Sequence, residues 1–225
     1  MVEELSLEQI VENHMHEDLM AQSQPFIRLM NQYRSAIMEM ETKLKILDAE
    51  FSMEYDRNPF ESIKSRLKSP VSIFKKLEKK GLPVTVESME RYLFDIAGLR
   101  VICSFEEDIY KLMELLLRQD DIRLIRKKDY IGRPKPNGYR SLHLILEVPV
   151  FQAGGPKKIK VEVQFRTIAM DFWASLEHKL RYKKNIAHSE EIAEELRVCA
   201  EKIAQLDQQM QEIRHRIDRD SGEEY

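Results

Sequence analysis

Apolar residues recur along this chain in two long runs at alternating steps of four and three. Phe26, Met30, Tyr33, Ile37, Met40, Leu44, Leu47 and Phe51 make the first; Ile192, Leu196, Cys199, Ile203, Leu206, Met210, Ile213 and Ile217 make the second. A mean step of about 3.5 keeps one stripe of an α-helix apolar, so each run predicts a long helix with a heptad seam. Such a seam serves either to pack a helix on its own domain or to meet helices of other copies. Narrow seams flanked by Glu, Lys, Gln and Arg favour the second use for at least part of the two runs.

Between the runs the pattern shortens. "SPVSIFKKLEKKG" (69–81) predicts a helix with Ser69 as N-cap, Pro70 in its first position and Gly81 as its stop. "IAGLRVICSF" (96–105) reads as a strand and 106–118 as an amphipathic helix. Segments 121–130, 140–150 and 157–167 read as three further strands, the last two joined through the hairpin-like turn "FQAGGPKK". A helix, "IAMDFWASLEHKLRYKK", follows, with its basic residues gathered in the last turn. The fold class is therefore α/β (α+β), a mixed sheet of about five strands flanked by helices.

Composition narrows the class without deciding it. With 33% charged residues and a formal charge of -3, the chain shows no basic excess that would mark a nucleic-acid binder, so RNA binding is not indicated. Cys103 and Cys199 are too few for a disulfide framework, and both lie in apolar-patterned segments, which predicts reduced core thiols in a cytoplasmic protein. The acidic start "MVEELSLEQIVENHMHEDLM" lacks the form of a signal peptide. No apolar stretch approaches the roughly 18 residues of a membrane span.

Candidate chemistry lies in three segments. In "SRLKSPVSIFKK", Ser69 and Ser72 open a helix whose free N–H groups favour an anion, with Ser72, Lys76 and Lys79 on one face and Arg66 and Lys68 just upstream. That makes a cradle for phosphates, although a capped helix with a solvated basic face has the same pattern. In "DIAGLR", strict alternation separates Asp95 from Arg100, unless Gly98 marks a bulge or Asp95 precedes the regular strand. In "KKIKVEVQFRT", Lys160, Glu162, Gln164 and Arg166 share the polar face. Pairing through the 151–157 turn would set them beside Tyr139, Ser141 and His143 of "DYIGRPKPNGYRSLHL", opposite Leu142, Leu144 and Leu146. Asp95 and Glu162 are the two carboxylates that could hold Mg²⁺ together with substrate phosphates. "HMHED" (14–18) does not put His14 and His16 on one helix face, and His178 reads as helix surface.

Taken in order, "SRLKSPVSI", "DIAGLRVIC", "KPNGYRSLHL", "VEVQFRTIAMDFWASLEHKL" and the heptad-bearing C-terminal helix resemble the RelA/SpoT-type (p)ppGpp synthetases. The short chain looks like a small alarmone synthetase, most like the RelP branch, over about residues 24–217. The resemblance implies a nucleotidyltransferase-like sheet and a pyrophosphokinase that moves the β,γ-pyrophosphate of ATP to the 3′-hydroxyl of GDP or GTP, in the stringent response. It implies no hydrolase domain: residues 1–23 would be an N-terminal extension, 24–187 the synthetase domain and 188–225 an oligomerisation helix of a homotetramer.

The resemblance also implies roles. Arg66 and Arg100 would sandwich adenine, and Lys68, Ser72, Lys76 and Lys79 would hold the ATP phosphates. Asp95 and Glu162 would bind Mg²⁺, with Glu162 also activating the acceptor hydroxyl. Tyr139 would stack on guanine, Lys135, Gln164, Ala169 and Asp171 would help hold the acceptor, and His143 and Lys128 would lie near its phosphates. Some family members have asparagine where this chain has Asp171, which leaves the preference among GMP, GDP and GTP open. Ser62 stands where the family's other small branch has an aromatic associated with allosteric product binding. The glycine- and proline-rich stretch before Tyr139 is expected to be a mobile lip that orders with the acceptor. Two other readings stay open: a catalytically silent nucleotide- or RNA-binding module, and a nucleotidyltransferase that releases pyrophosphate.

Overall fold

A computed structural model of the chain describes residues 7–54, 57–181 and 189–221, with side chains described within 23–54, 57–180 and 190–220. The elements run α1 (Leu7–Glu54), β1 (Phe60–Leu67), α2 (Pro70–Lys79), α3 (Val86–Tyr92), β2 (Ala97–Cys103) and α4 (Glu106–Leu117). They continue with β3 (Arg123–Asp129), β4 (Leu142–Gln152), β5 (Gly155–Thr167), α5 (Ile168–Arg181) and α6 (Ser189–Ser221). One mixed sheet has the order β1-β2-β5-β4-β3. Among the described residues only β2 and β5 pair in parallel.

The strands expected from the pattern are present, and β1 and α3 join them. β1, "FESIKSRL", is an edge strand whose residues after Phe60 are half-buried or exposed, so it carries no clean two-residue alternation. α3 is too short to show a helical period and is recognisable by its cap, where the Thr85 hydroxyl accepts from the Ser88 amide at 3.2 Å. α2 has the expected ends: Ser69 caps it, Pro70 opens it, and Gly81 follows with φ +65°. α1 runs unbroken past Pro25, so residues 7–23 and the seam share one helix. The side chains of His14 and His16 lie outside the described residues.

One face of the sheet is the core. Leu99, Val163 and Leu144 stand side by side across β2, β5 and β4, as do Val101, Phe165 and Leu142, and all are buried. Tyr33, Met40 and Leu44 of α1 and Ile109, Leu112 and Leu116 of α4 belong to the same core. Each fully buried aliphatic side chain contributes about 1.5–3 kcal/mol, enough to fix α1 on the sheet. In α1 the seam is therefore spent inside the domain, because α1 crosses the apolar sheet face beside α4.

The second seam is used differently. Trp173 and Ala174 of α5 and Ala200 of α6 make a separate small cluster, with Tyr139, Leu196 and Ile203 against it. The Trp173 indole N–H donates to the Leu196 carbonyl at 2.9 Å, and the Thr167 hydroxyl donates to Asp207 at 2.6 Å. Further along α6, Arg214 faces the acidic first turn of α4, 3.5 Å from Asp108. The outer stripe, Leu206, Met210, Ile213 and Ile217, stays exposed. Cys103 is a buried thiol whose pKa burial pushes up, but Cys199 is exposed. The expectation of two core thiols is thus corrected, since Cys199 falls on the uncovered side of α6. Among the described residues no helix is long and apolar enough to cross a membrane.

These placements separate the two stripes by experiment. Leu44→Ala should cost about 2–5 kcal/mol in urea denaturation. Met38→Ala, on the exposed side of α1, should stay within about 0.5 kcal/mol of the parent. Equal losses would place both on one packed surface.

Candidate active site

Opposite the core face, the strand register lays down two rows of side chains. The first reads Arg66, Gly98, Glu162, Ile145 and Arg126 across β1, β2, β5, β4 and β3. The second reads Lys64, Arg100, Gln164, His143 and Lys128. Gly98 lies between Arg66 and Glu162, where it leaves the floor of a cavity free of side chain. It marks no bulge, because β2 and β5 pair without a register shift. Asp95 precedes β2 and so escapes the alternation, which lets it join Arg100 on this face.

Two cavities open on these rows. One, of about 270 Å³, has Arg66 and Arg100 on its walls, with Asp95 and Glu162 at its edge. The other, of about 380 Å³, carries Lys76, Lys80, Arg126 and Lys128 and is bounded by the same two carboxylates. Asp95 and Glu162 thus stand where the cavities meet.

Each carboxylate is held ionised by different neighbours. Asp95 Oδ2 accepts from the ammonium groups of both Lys68 and Lys76. Burial alone would raise its pKa, but these two lysines hold it below the usual carboxylate range. Glu162 is treated the same way by burial, and hydrogen bonds from His143 Nδ1 at 3.2 Å and Gln164 Nε2 at 3.0 Å bring its pKa below the usual value. Burial lowers the pKa of Lys68, against the pull of Asp95.

The donor set fits a hard divalent cation. Asp95 Oδ1 is buried and has no hydrogen-bond partner among the described residues, while Oδ2 carries both lysines. An ionised carboxylate with one unsatisfied oxygen, lining the same two cavities as a second carboxylate, suits a hard divalent cation that also takes phosphate and water ligands. Among the described residues there is no group of three or more acidic, His or Cys side chains that could hold a metal by itself.

The residues expected on the acceptor side gather at the other end of the face. Tyr139 lies with Lys135 over its ring at 4.7 Å, and its hydroxyl sits 2.8 Å from His143 Nε2. Arg166, 5% exposed, donates to the Tyr139 oxygen at 2.9 Å and pairs with Asp171 at 2.9 Å. Asp171, in the first turn of α5 two positions after half-buried Ala169, also receives Arg100 at 3.2 Å.

Several expectations change. Ser141 is fully buried and its hydroxyl donates to the Phe165 carbonyl at 3.0 Å, because β4 starts only at Leu142. Lys79 lines neither cavity and Lys80 takes its place, since Lys80 as the C-cap lies one stride of four beyond Lys76. Ser72 instead accepts a hydrogen bond from the Ser69 hydroxyl at 2.9 Å. His143, expected at the acceptor phosphates, has both ring nitrogens engaged by Tyr139 and Glu162. The loop before Tyr139 makes contacts within itself and with α5. Gly138 N donates to Lys135 O at 2.8 Å, and Asn137 reaches Glu177 at 3.3 Å. Gly138, at φ +85°, lies so near α6 that a Cβ there would come within 2.4 Å of the Ala200 Cβ. Arg166, Arg126 and Lys80 went unassigned in the sequence, though the alternation of β5 already put Arg166 beside Glu162 and Gln164.

Residues 65–187 match the family model described as "Region found in RelA / SpoT proteins". The chain belongs to that family. It is 46% identical over 186 residues to GTP pyrophosphokinase YwaC of Bacillus subtilis (strain 168), covering 83% of this chain and 89% of the relative. It is 37% identical over 191 residues to GTP pyrophosphokinase YjbM of the same organism, covering 84% and 89%. Among solved structures it resembles small alarmone synthetase 1 from B. subtilis bound to its product pppGpp. That match has a TM-score of 0.79 and 36% identity, over 87% of this chain and 98% of the other. Small alarmone synthetase 2 from B. subtilis matches with a TM-score of 0.75 and 43% identity, over 83% and 96%. The mixed sheet with flanking helices is thus the small alarmone synthetase fold.

The Asp95 ion pairs give a pH signature. A carboxylate held low in the fold adds stability that is complete above its unfolded value of about 3.9 and disappears as pH falls through the lower folded value. Asp95→Asn should therefore flatten the acid side of the stability curve below about pH 4, read from urea midpoints. An unchanged acid limb would show that the pairs do not form.

Proposed function

We propose that this chain is a GTP pyrophosphokinase that transfers the β,γ-pyrophosphate of ATP to the 3′-hydroxyl of GDP or GTP and releases AMP. The observation that carries the reading is the pair Asp95 and Glu162 at the junction of two cavities, one walled by guanidinium groups and the other by lysines and Arg126. A base pocket and a cationic pocket for phosphates that meet at one charge-bearing point suit this transfer, because transfer of phosphoryl-type groups depends on alignment and neutralisation.

On this reading Arg66 and Arg100 hold adenine between guanidinium planes. Lys68, Ser72 and Lys76 steer the triphosphate, with Lys79 behind them. Tyr139 carries guanine, helped by Lys135, Gln164, Ala169 and Asp171, and Lys128 attracts the acceptor phosphates. Glu162 takes the proton of the 3′-hydroxyl as its oxygen bonds to the β-phosphorus; the bond from that phosphorus to the AMP oxygen breaks, and AMP leaves. Mg²⁺ held by Asp95 and Glu162 would offset the charge of the reacting phosphates. Residues 24–187 make the synthetase domain, with 1–23 as an extension and 188–225 carrying assembly. We assign the chain to the cytoplasm and to a homotetramer; the exposed stripe of α6 supports the assembly.

Incubation with ATP, GDP and Mg²⁺ followed by nucleotide separation tests the reading. AMP with a tetraphosphorylated guanosine is the expected result; no turnover points to a silent binder, and free pyrophosphate to another transferase. Glu162→Gln should abolish turnover and leave ATP binding largely intact. Tyr139→Ala should weaken the acceptor far more than ATP. Replacing Leu206 and Met210 together by Asp should lower the sedimentation coefficient of the assembly, and an unchanged value would remove α6 from the interface.

A further inference from the structure

Five side chains close a ring of hydrogen bonds on the site face. Arg166 donates to the Tyr139 oxygen at 2.9 Å and to Gln164 Oε1 at 3.2 Å. Gln164 Nε2 donates to Glu162 Oε2 at 3.0 Å. Tyr139 meets His143 Nε2 at 2.8 Å, and His143 Nδ1 meets Glu162 Oε1 at 3.2 Å. The ring begins at the guanidinium, returns to the carboxylate by two routes, and joins the guanine platform to the group that activates the acceptor hydroxyl.

The donor inventory fixes the direction of four of the five bonds. Arg166 can only donate, so the tyrosine oxygen accepts from it. The ionised Glu162 can only accept, so His143 carries a hydrogen on Nδ1 and offers it to the carboxylate, while Tyr139 and His143 Nε2 share the remaining hydrogen. Gln164 is oriented likewise, its oxygen toward Arg166 and its nitrogen toward Glu162. Each Glu162 oxygen thereby accepts one protein hydrogen bond, and its remaining lone pairs stay available to the site. Arg166 itself is 5% exposed and is held from outside the ring by Asp171, which also binds Arg100 on the ATP side.

We propose that Arg166 is a positioning residue, whose planar fork of donors fixes the orientation of the Glu162 carboxylate relative to the Tyr139 platform. This rests on the pyrophosphokinase reading. A lysine would keep the charge but not the fixed planar geometry that serves Tyr139, Gln164 and Asp171 together. A carboxylate turned away from the hydroxyl slows the chemical step while leaving the substrates bound, so the ring acts on kcat.

Two variants test it by steady-state kinetics with ATP and GDP. Tyr139→Phe keeps the ring that stacks and removes only the hydroxyl link. It should lower kcat about ten-fold and leave the acceptor KM within about two-fold. Arg166→Lys should lower kcat about ten- to hundred-fold with the ATP KM unchanged, and the double variant should be no slower than Arg166→Lys alone, because both break one ring. A parental kcat in Tyr139→Phe overturns the proposal, as do multiplicative losses in the double variant. If Arg166→Lys does not fold, Tyr139→Phe decides by itself. The parent enzyme separates the two levels: a parent that makes no AMP sinks the pyrophosphokinase reading, whereas an active parent matched by Tyr139→Phe sinks only the ring.

Discussion

Ala97 to Cys103 run parallel to Val161 to Thr167 at the centre of the sheet, and everything chemical in this protein is placed relative to that ladder. It sets Gly98 beside Glu162 and Arg100 beside Gln164, and it carries Asp95, just ahead of β2, to the same opening. A slip of one residue would turn Glu162 and Gln164 into the core and bring Val163 to the site. Burial of Val161, Val163 and Phe165 on the other face prevents the slip, so the hydrophobic effect fixes the position of the carboxylates.

Gathering ionised groups on a partly buried sheet face is costly unless each finds a partner. Asp95 is balanced by Lys68 and Lys76, and Glu162 by hydrogen bonds from His143 and Gln164. The two carboxylates are held ionised by different neighbours. Asp171 takes the guanidinium groups of Arg100 and Arg166, so the two ends of the site share an anion. From Glu162 to Arg100 the polar face is thus one connected network, and its orientation depends on charge-assisted bonds in a setting drier than water.

Much of this was legible in the residues themselves. Alternation in "KKIKVEVQFRT" and the apolar side of "RSLHLILEVPV" gave β5 and β4, and the turn between them gave their pairing. β1 was not legible because an edge strand with little burial keeps no alternation. Lys80 was passed over for Lys79 because helical spacing does not show how a C-cap carries its side chain. Arg166 was visible as a polar-face residue, but its value lies in what it touches, and contacts across strands and helices do not appear in a single segment's pattern.

The two heptad seams show the division most plainly. Both have the same steps and similar residues, and the sequence by itself determined that each is a long helix with one apolar stripe, that strands lie between them, and which side chains bear charge. It determined the caps of α2 as well, since those depend on neighbours in the chain. Only the tertiary structure decided that α1 spends its stripe on the sheet while the outer stripe of α6 remains exposed. The reason is that periodicity reports which side of an element avoids water, whereas the surface that covers it is set by distant segments brought together in the fold.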